Sequence, residues 1–487
     1  MNKQTVYGFG ERFDALNQIG LVRDIEVVEK FTNQGASTYL PVPFCLTGDG
    51  IGFYVETPAV CKIHTFHGTP SEILDAFTAR TGRPKLPPDW AFGLWNSGNR
   101  WSTQAIVEEQ VAKAIEHGMK PSVVVIEAWS DETTFYRFDT ERFPDSEGMI
   151  AGLHALGIRV LLWQICVLKD ERDGAYAEER GFVVKNADGS TYRIPEGEWF
   201  GGCRVPDFNN PEACKWWFGN RQYLLDMGVD GFKTDGGECV DNLYAASYTR
   251  AYSEFVGDNR VLFSRAGFTG SQATTLHWAG DQVSTWAELR HVLTAGLNAG
   301  LSGIAFWGFD IAGFAGALPS DELYLRAFAI AAFAPITQWH SEPPGGQFAE
   351  ILASDDAVND RSPWNIALRS GNAAVIELCR KFVREREKLT PYILSEAKYC
   401  SETGRPLMAA LVFDFYDDAA AREIDDEYMF GRELLVAPVI SEGAEARDVY
   451  LPQGAWSDFW TGELFEGGRT INVACGFDTI PVFKKQA

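Results

Sequence analysis

Positive charge is scarce in this chain. Its 487 residues hold 43 Lys and Arg against 67 Asp and Glu, a formal charge of −24. Nucleic acids and anionic membranes are bound through basic patches, so this balance argues against both as partners. The cysteine total is nine, an odd number, and no pair stands at C-x-x-C spacing. The thiols are therefore expected to be reduced and buried, without a disulfide framework. The N-terminal residues Met1 to Tyr7 lack the apolar core of a signal peptide. The most apolar long stretch, Leu301 to Leu318, contains Asp310 and several glycines, which suits a barrel interior better than a membrane span. These absences favour a cytoplasmic protein. Gly8-Phe9-Gly10 has neither the spacing nor the strand–helix setting of a dinucleotide fingerprint. No phosphate loop, metal motif or Ser/Cys nucleophile constellation stands out, so neither a cofactor nor a metal is expected.

Aromatic residues are plentiful. They make up 13% of the chain, with 15 Trp, enough both to fill a core and to offer surfaces on which sugars stack. The length allows one large barrel with one or two small domains. Residues 1–86 alternate apolar and polar in short runs such as Thr38–Val42 and Ile51–Val55, the pattern of an antiparallel sandwich. From Pro87 the texture becomes strand–helix alternation. Ala91–Trp95, Ser122–Ile126, Arg159–Ile165, Gly231–Thr234, Val261–Ser264 and Ile304–Trp307 read as buried parallel strands. Thr103–Glu116, Pro211–Met227 and Asn242–Phe255 read as helices between them. The fold class is thus α/β, with a (β/α)8 barrel over residues 87–400 and a second β-domain over 401–487.

One stretch carries chemistry. The apolar run Val229–Phe232 ends in Lys233-Thr234-Asp235, and Gly236-Gly237 then let the backbone turn away from the acid. In such a barrel, residues at the C-terminal strand ends face the active site. A second acid of this kind follows at Asp281, after Leu276-His277-Trp278-Ala279-Gly280. Two carboxylates at strand ends are the minimum equipment for glycoside hydrolysis. Period-two alternation places Lys233 on the same face as Asp235, where a cation would hold that carboxylate ionised. Trp163 and Trp278 are candidate pocket walls.

The Lys-Thr-Asp-x-Gly-Glu segment, with Tyr7-Gly8-Phe9-Gly10-Glu11-Arg12-Phe13, Pro87-Pro88-Asp89-Trp90 and Phe306-Trp307-Gly308-Phe309-Asp310, resembles glycoside hydrolase family 31, the retaining α-glycosidases. The resemblance runs over nearly the whole chain. It implies an exo-acting α-glycosidase on short oligosaccharides, foremost an α-glucosidase, with α-xylosidase and α-galactosidase as alternatives and a catalytically silent sugar-binding homologue as the alternative class. By the same resemblance Asp235 is the nucleophile and Asp281 the acid/base. Arg265 binds sugar hydroxyls, His340 belongs to the first subsite, and Asp310 lines the pocket or orients Arg265 and His340. Many α-glucosidases of the family carry an Asp at the second strand end, where this chain has Glu127-Ala128-Trp129, so Glu127 and Trp129 are expected to select the sugar. The loop Asn96–Trp101 also departs from the common form. The N-terminal sandwich is expected to be short, either reduced or part of a longer product. A homo-oligomer remains compatible with all of this.

Overall fold

Eight short, mostly apolar segments lie side by side and close on themselves. The computed structural model describes residues 4–56, 61–98, 102–341 and 360–486. The closing strands are β5 (Leu94–Gly98), β6 (Val123–Ile126), β7 (Arg159–Ile165), β8 (Gly231–Asp235), β9 (Val261–Ser264), β10 (Leu276–Trp278), β11 (Trp307–Asp310) and β12 (Ile336–Ser341). All pair in parallel, in the order β10-β11-β12-β5-β6-β7-β8-β9, which is a complete (β/α)8 barrel.

Two strand limits differ from the sequence expectation. Asp89–Phe92 forms a 3-10 turn, and β5 begins only after Gly93. The apolar run around Ile304 enters the barrel three residues later, at Trp307. An unbroken apolar run gives no periodic signal for where pairing starts. The expected helix Pro211–Met227 is two, Pro211–Gly219 and Gln222–Asp226, broken where Arg221 folds back over Trp217 at 3.5 Å.

Ahead of the barrel, β1 (Val6–Gly10), β2 (Pro41–Thr47), β3 (Ile51–Glu56) and β4 (Lys62–His67) form one antiparallel sheet. Its first strand is bolted to the barrel. Gly10 N donates to Ser302 Oγ at 2.8 Å, and Trp307 Nε1 donates to the buried Glu11 at 2.6 Å. The chain after β1 then runs across the barrel mouth. Arg12 Nη2 donates to the Asp24 carbonyl at 2.7 Å, and Asn242 fixes Val27 N at 2.7 Å and the Ile25 carbonyl at 2.6 Å. Asn242 begins the helix Asn242–Val256 shortly after β8 and the Asp235–Glu238 segment, so a barrel helix positions a piece of the N-terminal domain over the barrel mouth. Beyond the long helix Ala374–Thr403, the C-terminal residues build a six-stranded sheet and a two-stranded ribbon. Among the described residues no helix is long and apolar enough to cross a membrane.

Candidate active site

A cavity of about 840 Å³ opens at the C-terminal mouth of the barrel, in the upper range for ligand pockets. At its base is Arg265, one residue past β9 and only 2% exposed. Its guanidinium touches four carboxylates. Nε lies 3.1 Å from Asp235 and 2.7 Å from Glu238, Nη2 lies 2.9 Å from Glu29, and Nη1 lies 3.5 Å from Asp281. Its flat face lies under two rings, Tyr39 at 4.5 Å and Trp199 at 5.3 Å. Burial would lower its pKa, but the surrounding acids outweigh that and keep it charged.

Asp235 ends β8 with its side chain in the cavity, 15% exposed. Trp163 Nε1 donates to one carboxylate oxygen at 3.0 Å, and Gly236 N donates to the other at the same distance. Gly236 needs its glycine: φ is +71°, and a Cβ would lie 2.6 Å from Ile165. Asp281 enters from the loop after β10, 17% exposed. Burial pushes its carboxyl well above the usual range, against the pull of Arg265, while Asp235 and Asp310 push it further up. The two acids therefore meet through one cation, and a carboxyl held protonated by burial suits a proton donor.

A second cluster lies deeper. Lys233 Nζ is 2.6 Å from Glu127, and His340 Nε2 is 3.7 Å from the other Glu127 oxygen. Burial raises Glu127 to about 7 in spite of Lys233. His340 is held well below its usual value by burial and by the cations Lys233 and Arg361, so it is neutral, with Nδ1 at 2.5 Å from Ser97 Oγ. Glu127, Lys233 and His340 all line the cavity.

Four of the expected side chains make contacts other than those anticipated. Lys233 pairs with Glu127, and the cation in contact with Asp235 is Arg265. Trp129 is fully buried, donates Nε1 to the Trp163 carbonyl at 2.9 Å, and packs against Phe138 outside the cavity. Trp278 lies beneath Lys233, with the ammonium 4.7 Å from its ring, and does not line the cavity. Asp310 accepts from Gln338 at 2.5 Å and has no hydrogen bond to Arg265 or His340. Trp163 lines the cavity. The loop residues Asn99–Trp101 lie outside the described residues.

Sequence reasoning missed Glu29, Tyr39 and the role of Glu238. Glu29 sits in an irregular stretch with no periodic signal. Glu238 stands in the nucleophile motif, and its spacing of three from Asp235 was the available hint. One further acid of β8's surroundings lies away from the cavity. Asp230 is at the opposite end of β8, bound to His154 at 2.7 Å and Arg159 at 3.2 Å.

Glu127 is the expected discriminator of the sugar. Glu127→Gln should change the glucoside-to-xyloside ratio of kcat/KM by at least about tenfold, since sites built for a hydroxyl reject analogues lacking it. Trp129→Ala should lower the unfolding temperature, as removal of a buried Trp does, and leave that ratio alone. An unaltered ratio in Glu127→Gln would sink the discriminator role.

A family model for the glycosyl hydrolases family 31 TIM-barrel domain matches residues 84–396, and one for the family's C-terminal domain matches residues 404–487. Isomaltosyltransferase of Sporosarcina globispora is 35% identical over 98% of this chain and 50% of its own length. The 1,3-α-isomaltosidase of Kribbella flavida is 37% identical over 98% of this chain and 75% of its own. This chain thus spans half the length of the first relative and three quarters of the second. The cycloalternan-degrading enzyme from Trueperella pyogenes, solved with isomaltose, superposes with a TM-score of 0.94 at 39% identity, covering 100% of this chain and 80% of that one. With both domain models matched and these relatives aligned along its length, the chain belongs to glycosyl hydrolase family 31.

Proposed function

We propose that this chain is a retaining α-glycosidase that cleaves α-glucosidic bonds and releases an isomaltosyl unit, a disaccharide. The observation that carries the catalytic part is the meeting of Asp235 and Asp281 on one buried Arg265 at the barrel mouth. Retention requires the two carboxyl groups at roughly 5–5.5 Å, and sharing a single guanidinium keeps them close. In the first step an Asp235 oxygen attacks the anomeric carbon as the bond to the leaving oxygen breaks, and Asp281 gives its proton to that oxygen. In the second, Asp281 takes a proton from water, the water oxygen bonds to the anomeric carbon, and the ester to Asp235 breaks. Trp163 Nε1 and Gly236 N hold the attacking carboxylate in place between turns. Glu127 and His340 meet the hydroxyls of the bound sugar.

The relatives' names favour isomaltosyl over a single glucose as the unit released, and a cavity of about 840 Å³ supports more than one hexose. The nine cysteines, all free, favour a reducing compartment. The test is digestion of cyclobis-(1→6)-α-nigerosyl, a cyclic tetraglucoside, followed by chromatography of early products. Isomaltose is expected first. Glucose as the first product overturns the disaccharide reading, and no product from any α-glucoside favours the silent homologue.

A further inference from the structure

We propose that Phe135 and Phe200 form a stacking platform for a second glucosyl unit, the outer sugar of the unit that becomes attached to Asp235. The proposal rests on the disaccharide reading above. Both residues line the same cavity as the catalytic acids, and both have left-handed backbones, with φ of 55° at Phe135 and 60° at Phe200. Bulky residues avoid that region, and such outliers persist where the surroundings over-determine them, often at ligand clamps.

The surroundings do so here. Gln164 Nε2 donates to the Phe135 carbonyl at 2.8 Å, while its oxygen accepts from Arg221 at 2.6 Å and from Tyr252 at 3.0 Å in the core. The Phe200 carbonyl accepts from Cys203 N at 3.1 Å, inside a loop closed by Gly202 N donating to the Ile194 carbonyl at 2.8 Å. The result is one aromatic wall from two separate loops. Phe135 and Phe200 meet edge to face at 5.7 Å, Phe135 lies 5.8 Å from Trp163, and Phe200 lies 5.0 Å from Trp199. A left-handed Phe also occurs at Phe9 in β1, away from the cavity, so what sets Phe135 and Phe200 apart is that two such residues from separate loops meet ring to ring in the cavity wall.

The position fixes which sugar. Phe135 follows β6 and Phe200 follows β7, and in the closed strand order β6 stands four places from β10, the strand that leads to Asp281. The Phe135 end of the platform therefore stands across the strand ring from the acid that protonates the leaving group, on the donor side, and Phe200 continues it through Trp199 towards Arg265. Glu127, Ala128, Ser130, Glu132 and Phe135 line one continuous edge, so the pocket of the first sugar opens along this loop towards the rings. Exposed Glu132, Glu198 and Lys169 rim the wall, with the Lys169 ammonium 5.8 Å from the Phe135 ring. An apolar face inside a charged rim matches a hexose, which presents C–H bonds on its face and hydroxyls at its edge.

The test compares p-nitrophenyl α-isomaltoside with p-nitrophenyl α-glucoside in wild type, Phe200→Ala, Phe200→Gly and Phe200→Tyr. Phe200→Ala and Phe200→Gly should lower the isomaltoside-to-glucoside ratio of kcat/KM about tenfold, mainly through KM, and Phe200→Tyr should retain it. Phe200→Gly relieves the left-handed backbone, so it keeps the chain folded even if the Ala variant does not. Wild type releasing isomaltose while the ratio stays constant across the variants overturns the platform and leaves the disaccharide reading intact. Wild type releasing only glucose from the isomaltoside overturns both.

Discussion

Asp235→Ala is expected to reduce turnover by roughly 10⁴-fold or more, the scale on which loss of a covalent nucleophile is felt. The fold should survive, because Arg265 retains Glu29, Glu238 and Asp281 as partners and Asp235 contributes little packing. A 2-fluoro glycosyl fluoride or a cyclophellitol-type inhibitor should label the peptide that contains Asp235, and mass spectrometry locates the residue. Glu238 is the rival to watch, since it shares Arg265 Nε and lines the same cavity, but its side chain is only 1% exposed against 15% for Asp235. Label on Glu238 would reverse the assignment.

Asp281→Ala should divide substrates by their leaving groups. General acid catalysis contributes ~10²–10⁴-fold, and only where the departing oxygen is basic. Hydrolysis of an oligosaccharide should therefore fall by about that factor, with activated aryl glycosides far less affected. The pH profile gives a second signature. A carboxyl raised by burial remains protonated above the usual carboxylate range, so kcat/KM should fall as pH climbs through its raised pKa. That alkaline limb should vanish for aryl glycosides in Asp281→Ala. Equal losses on both substrate types would make Asp281 a structural residue.

Much of this site was legible from local pattern. The run Val229–Phe232 ended by an acid and two glycines located β8 and its mouth, and a similar setting, together with the family resemblance, pointed to Asp281, which meets the same Arg265. What pattern could not show is which way a side chain leans once a strand has ended. Trp129 stands two residues past Glu127, yet it turns into the shell while Glu127 faces the cavity. Period-two alternation holds only while the strand lasts. Lys233 shows a related limit, since a shared face with Asp235 did not decide its partner; Glu127, just past the end of β6 and two strands away, takes its ammonium at 2.6 Å. Glu29 and Tyr39 were illegible for a different reason. Their contacts with Arg265 span more than 200 positions and arise only after β1 docks on the barrel and Asn242 captures the segment between.

The carboxylates around Arg265 also bear on what kind of selectivity this enzyme has. Glu29, Asp235, Glu238 and Asp281 share one guanidinium, and Glu127 adds a fifth acid answered by Lys233. Even when Asp281 carries its proton, acids in this basin outnumber its two cations, Arg265 and Lys233, so the basin stays acidic. An intact oligosaccharide is neutral and gains almost nothing from that imbalance as it enters. The same ring gains positive charge at its anomeric carbon as the glycosidic bond stretches, and only then does the basin act on it. The field therefore does not distinguish one neutral sugar from another. It distinguishes a sugar at rest from the same sugar halfway to reaction, which leaves the choice among sugars to shape and hydroxyl contacts further up the walls.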